Sequence, residues 1–147
     1  MTTMKRYRYL LAVLFVLPAV MGQSVVRAQS WNMVAADTVF IDACTYHTGT
    51  IYDDGGSTGN YSNYFNGWVV ITANAGVAIT LTGEYITESA TYDWIDVWDG
   101  DPTTGTQLVY HTGGTGSLPA GITATSGRMT IMFRSDGSVV NTGFALN

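Results

Sequence analysis

Apolar residues in this chain recur at every second position in short runs, which is the side-chain period of a β-strand rather than a helix. Met129, Ile131 and Phe133 alternate with Thr130 and Met132. Around residue 95 the same rhythm puts Ile95 and Val97 on one side and Trp94, Asp96 and Trp98 on the other. The pattern predicts strands over residues 39–41, 68–73, 77–81, 92–98, 108–111, 129–133 and 139–144. Turn-forming groups separate them: Asp54-Gly55-Gly56-Ser57, Asn74-Ala75-Gly76, Asp99-Gly100-Asp101-Pro102, Gly113-Gly114, Ser126-Gly127 and Asp136-Gly137. No helical stripe occurs beyond the first 28 residues, so the fold class expected is all-β, an antiparallel sandwich.

Residues 1–28 have a different plan. Lys5, Arg6 and Arg8 precede an apolar run over 10–21, and Val26-Arg27-Ala28 supplies small residues for cleavage. This is the layout of a secretory signal peptide, and the run falls short of the ~20 apolar residues that span a bilayer. The expected organisation is a signal peptide over 1–28, a lead-in and first strand over 29–44, and one domain over 45–147.

Cleavage changes the charge. Four of the six basic residues leave with the leader, and Arg128 and Arg134 remain against eleven acidic residues, with no lysine. Such a surface cannot neutralise phosphates, so nucleic acid, heparin and anionic membrane are poor partners for it. Cations and basic groups on other proteins are favoured. Cys44 is the single cysteine, which rules out an internal disulfide; it is expected to be a small buried hydrophobe rather than a bridge between copies.

Candidate chemistry sits beside residues 92–98. Glu88 and Asp93 flank the start of that run, and Ser135-Asp136-Gly137-Ser138 follows the strand over 129–133. Carboxylates gathered at a loop end call for a cation, because like charges ~4 Å apart repel by about 4 kcal/mol at an effective dielectric of ~20.

These residues also carry a family resemblance. Gly49-Thr50-Ile51-Tyr52 with Asn60-Tyr61-Ser62, the strand from Gly76 to Leu81, Tyr92-Asp93-x-Ile95-x-Val97-x-Asp99-Gly100, and Ile122-x-Ala124 followed by Met129-x-Ile131-x-Phe133-x-Ser135-Asp136 and Gly143-Phe144 resemble, in order, the segments of a CUB domain. The stretch over 52–63 is similar to bacterial versions of the domain. The resemblance implies a jelly-roll-like β-sandwich acting as a secreted or cell-surface binding module. It also implies one Ca2+ held by Glu88, Asp93 and Asp136, with an acidic residue left to capture a basic side chain of a protein partner. A hard cation seeking six to eight oxygens suits three carboxylates near Ser and Gly backbone. Glu84 competes with Glu88 for the glutamate role, and solvated loop acids are the plainer alternative.

Other residues support further readings. Trp94 and Trp98 point away from the core side and could stack on a glycan, or pack against neighbouring strands. Asp53 and Asp54 could form a second ion site, though a Gly-rich turn accounts for them. His47 and His111 are lone histidines, and Asn60 heads a glycosylation sequon. No nucleophile–base pairing or histidine cluster marks the chain as an enzyme. A surface-assembly role, with an edge strand paired to another chain, stays open.

Overall fold

The computed structural model describes residues 29–147; the leader expected over 1–28 lies outside them. The described chain is all strand, in a two-sheet sandwich: β1 (Gln29–Asn32), β2 (Thr38–Asp42), β3 (Gly49–Tyr52), β4 (Asn66–Thr72), β5 (Ile79–Leu81), β6 (Gly83–Ile86), β7 (Trp94–Asp99), β8 (Thr106–Thr112), β9 (Thr115–Ser117), β10 (Ile122–Ala124), β11 (Arg128–Arg134) and β12 (Gly143–Leu146). One sheet has the order β1-β3-β12-β6-β9 and the other β2-β4-β11-β7-β8, with β5 and β10 paired separately. The pairing is antiparallel except at one edge of each sheet, where β1 runs parallel to β3 and β2 parallel to β4.

The period-two pattern explains the core. Val69 and Ile71 of β4, Ile95 and Val97 of β7, and Met129, Ile131 and Phe133 of β11 are buried on the inner face of their sheet. Ile51, Phe144 and Leu146 answer them from the opposite sheet, and Ile79, Leu81, Ile122 and Ala124 from the β5–β10 pair. Each fully buried aliphatic or aromatic side chain of this kind is worth about 1.5–3 kcal/mol.

Several boundaries differ from the sequence pattern. The run from 92 begins as a strand only at Trp94, because the N–H groups of Tyr92 and Asp93 both turn back to the Ser89 carbonyl. Residues 77 and 78 are exposed ahead of β5. The apolar pair Val139-Val140 is loop: Val139 has φ 53°, and strand pairing starts at Gly143. Cys44 is exposed rather than buried, since the chain turns at 42–46 and Asp42 takes the Cys44 N–H and the Thr45 hydroxyl outside the sandwich.

The registers fix the ends of the molecule. Arg134 pairs with both Asn66 and Trp94, so the segments after β11 and before β7 emerge side by side at one end. An apolar hollow of about 310 Å³ opens at the other end, with Trp31, Tyr46 and Leu81 in its wall and no acidic side chain lining it.

Candidate functional site

Three elements deliver the acidic residues to one end. β6 passes through Thr87 to Glu88, where the Gly114 N–H donates to the Glu88 carbonyl at 2.6 Å and to the Thr87 hydroxyl at 3.0 Å. The turn on Ser89 then folds the chain back so that Asp93 precedes β7 directly. Gly113 packs against the Asp93 carbonyl so closely that a side chain there would collide with backbone. From β11 come Ser135 and Asp136. Ser135 is buried, donates its hydroxyl to the Ser62 carbonyl at 2.7 Å and accepts the Phe65 N–H at 2.9 Å, which ties the 62–65 loop to the site.

Glu88, Asp93 and Asp136 each place a carboxylate oxygen within 4.8 Å of the other two. Asp93 is fully buried, and both of its oxygens are engaged. Oδ2 accepts the Tyr61 hydroxyl at 2.5 Å and Oδ1 accepts the Asp136 N–H at 2.9 Å. Tyr61 also accepts the Glu88 N–H at 2.9 Å, so one phenol oxygen links two of the three acids. Burial, then the bond to Asp93, pushes the Tyr61 hydroxyl well above the usual phenol range and keeps it a donor. Loss of hydration raises the Glu88 carboxyl, and the charges of Asp136 and then Asp93 add to it. Glu88 Oε2 is sealed from solvent without a hydrogen-bond partner. A buried oxygen lacking a donor, inside a cluster of like charges, matches the donor set of a hard cation.

The remaining candidates lie elsewhere. Glu84 is exposed on β6, paired with Ala145 and Ser117, and is not among the clustered acids. Asp53 is buried and accepts the N–H groups of Phe144 and Gly55 at 2.9 and 2.8 Å, while burial raises its carboxyl. Asp54 accepts the Ser62 N–H at 3.1 Å, so both acids tie down backbone in this structure. Trp98 lies against Trp68 with ring centres 6.0 Å apart, and Trp94 packs on His111 at 4.8 Å, with the Arg134 guanidinium 5.4 Å from its ring centre. Sequence reasoning missed Tyr61 as a site residue; it stood out only within a sequon and a family segment.

The model for the CUB domain matches residues 41–147, most of the chain. The chain belongs to the CUB domain family. Such domains are in general non-catalytic protein-interaction modules. Solved structures agree on the fold. The chain is similar to the CUB1-EGF-CUB2 segment of human MASP-1/3, with a TM-score of 0.58 and 20% identity. That match covers 76% of this chain but only 40% of the MASP-1/3 chain. It is similar to the MASP-1 CUB2 domain bound to Ca2+ at a TM-score of 0.54 and 18% identity, covering 77% of this chain and 96% of the other. It also resembles part of the full extracellular region of zebrafish Gpr126/Adgrg6, with a TM-score of 0.50 and 18% identity over 77% of this chain and 14% of that one. No curated protein sequence matches the chain.

Proposed function

We propose that this CUB domain is an exported binding module that recognises a protein partner through a loop end organised by Ca2+. The observation that carries the reading is the meeting of Glu88, Asp93 and Asp136 around an unpartnered, buried Glu88 oxygen. The MASP-1 CUB2 domain, solved with Ca2+ bound, supports it by analogy of fold. The leader over 1–28 would direct export, residues 45–147 would form the binding unit, and the 52–63 stretch relates it to bacterial versions.

Bound Ca2+ would supply positive charge that lets the three carboxylates stay ionised together. The chain's own residues do the rest. Tyr61 orients Asp93, the Asp136 N–H holds the other Asp93 oxygen, and Ser135 fixes the 62–65 loop beside them. The acidity of the exported chain would attract a lysine or arginine of the partner and speed encounter. Exposed Tyr64, whose N–H donates to the Asp136 carbonyl at 2.6 Å, adds apolar contact at the same end.

Titration calorimetry of the mature protein with Ca2+ tests the reading. Saturable binding that disappears in Asp136→Ala supports it. Absence of binding heat together with a melting temperature unchanged by millimolar Ca2+ refutes it.

A further inference from the structure

The outer face of the β2-β4-β11-β7-β8 sheet is a layer of rings that reaches the carboxylate end of the molecule only at Trp94 and Arg134. Trp68 and Trp98 lie with planes 29° apart, and Phe40 at the β2 edge is 72% exposed. At the opposite edge β8 is bulged: Tyr110 and His111 together face Asp96 of β7, and His111 takes the positive φ of 40°. A regular strand would send these neighbours to opposite faces; here their rings stack at 4.0 Å, and Tyr110 is 70% exposed. Buried Asp96 holds the bulge by accepting the His111 N–H at 2.6 Å and the Gln107 amide at 3.1 Å.

Both arginines of the described chain lie on the same face, alongside Asp96 of β7 and exposed Asp42 of β2. The inward side chains of β11 are Met129, Ile131 and Phe133, so Arg128 and Arg134 project outward. They are the only Lys or Arg side chains among the described residues. Arg128 approaches Asp101 at 3.9 Å, whereas Arg134 has no carboxylate partner among the described residues and sits over the Trp94 ring. The Trp94 indole N–H is buried without an acceptor. Val70, the aliphatic side chain of β4 on this face, is buried, so solvent meets aromatic plates bordered by arginine, threonine, glutamine and the exposed Asp42.

We infer that this face binds an acidic, uronate-bearing oligosaccharide independently of Ca2+, through stacking on Trp98, Trp94 and Tyr110 and carboxylate pairing with Arg134. A pyranose has an apolar CH face and a polar rim, which suits flat rings set among hydrogen-bonding side chains. A partner carrying a carboxylate is favoured because the Arg134 guanidinium has none beside it among the described residues. The rings and the bulge stand whether or not the carboxylate cluster binds a metal.

The test is tryptophan fluorescence titration of mature protein, in chelator, with a short 1,4-linked oligouronate and with its neutral oligohexose counterpart. Saturable quenching by the oligouronate, weakened by salt and absent with the neutral chain, is expected. Tyr110→Ala should weaken binding by about tenfold, near the upper end of what one aromatic contact supplies. Arg134→Gln should weaken it by about fivefold and flatten the salt dependence, as loss of one exposed ion pair predicts. Both side chains are exposed, and an unchanged melting temperature separates lost binding from lost fold. Equal binding of the neutral chain, no binding of either, or insensitivity to both variants overturns the inference. So does concentration-dependent self-association lost in Tyr110→Ala, which would assign the face to a second copy. Asp136→Ala should leave oligouronate binding intact, so failure here is distinct from failure of the Ca2+ reading.

Discussion

Replacing Tyr61 with phenylalanine removes one oxygen atom and keeps the ring. The ring is fully buried and packs edge-on against Phe133 with centres 5.1 Å apart, so packing should change little. The lost oxygen donates to Asp93 Oδ2, with a longer contact of 3.3 Å to the Val139 carbonyl, and accepts the Glu88 N–H, so its two close partners are left unpaired. Leaving a buried polar group unpaired costs about 1–3 kcal/mol; with the part-buried Glu88 N–H at the low end of that range, the two groups give an expected destabilisation of about 2–4 kcal/mol. For a domain of this size each kcal/mol lowers the melting temperature by about 3–6 °C, so a fall near 10 °C is expected. Urea denaturation in chelator should show a lower midpoint with an unchanged slope, the signature of lost stability without altered compactness. Ca2+ affinity should fall as well, because Asp93 loses the group that orients it. A loss under about 0.5 kcal/mol, within the ordinary range of neutral substitutions, would refute the claim that Tyr61 organises the acidic cluster.

Three further predictions come from other parts of the molecule. Gly143 has φ 75° and lies against the Asp53 carboxylate, so Gly143→Ala should destabilise by at least about 2 kcal/mol in thermal melts; a neutral variant would contradict the backbone assignment. Asp99 is held at about 2, below its ordinary 3.8, by bonds from Ser126 and Thr125. A depressed folded value means its stabilising contribution is complete above about pH 4 and disappears as pH falls through about 2. Asp99→Asn should therefore flatten the stability profile between those limits, and an unchanged profile would count against the hydrogen-bond assignment. Exposed Cys44 should react with a maleimide in the native protein as fast as in urea, whereas protection until unfolding would mean that the thiol is covered.

The central strands were legible because β7 and β11 place apolar residues at alternate, core-facing positions (Ile95 and Val97; Met129, Ile131 and Phe133) and β4 carries the continuous apolar run over 68–71. Strands β1, β6 and β9 carry no such signal. Gly116 and Ser117 in β9, or Gly83 and Glu84 in β6, become strand only because a neighbour supplies the ladder. Val139 and Val140 failed in the opposite sense: β-branched residues suggested a strand where the backbone turns through a positive φ to leave the acidic end. At the site, residue types at strand ends drew out Glu88, Asp93 and the Ser135-Asp136 segment, and the family resemblance joined the three acids as one expected ion site with Glu84 as a competitor. The Tyr61 bridge was not legible, because a contact across 32 positions leaves no local trace. Nor could alternation show that the rings of Trp98 and Trp68 meet, since that needs the register of three strands.

Thermal unfolding of the domain in chelator and in millimolar Ca2+, alongside Asp93→Asn and Asp136→Ala, tests the central claim most directly. A ligand present at about a hundredfold over its Kd stabilises the native state by about 2.7 kcal/mol, an upward shift of several degrees. The account predicts that shift in the native sequence and its loss in both variants. Identical melting curves with and without Ca2+ would show that oxygens drawn from three separate segments converge without holding a metal.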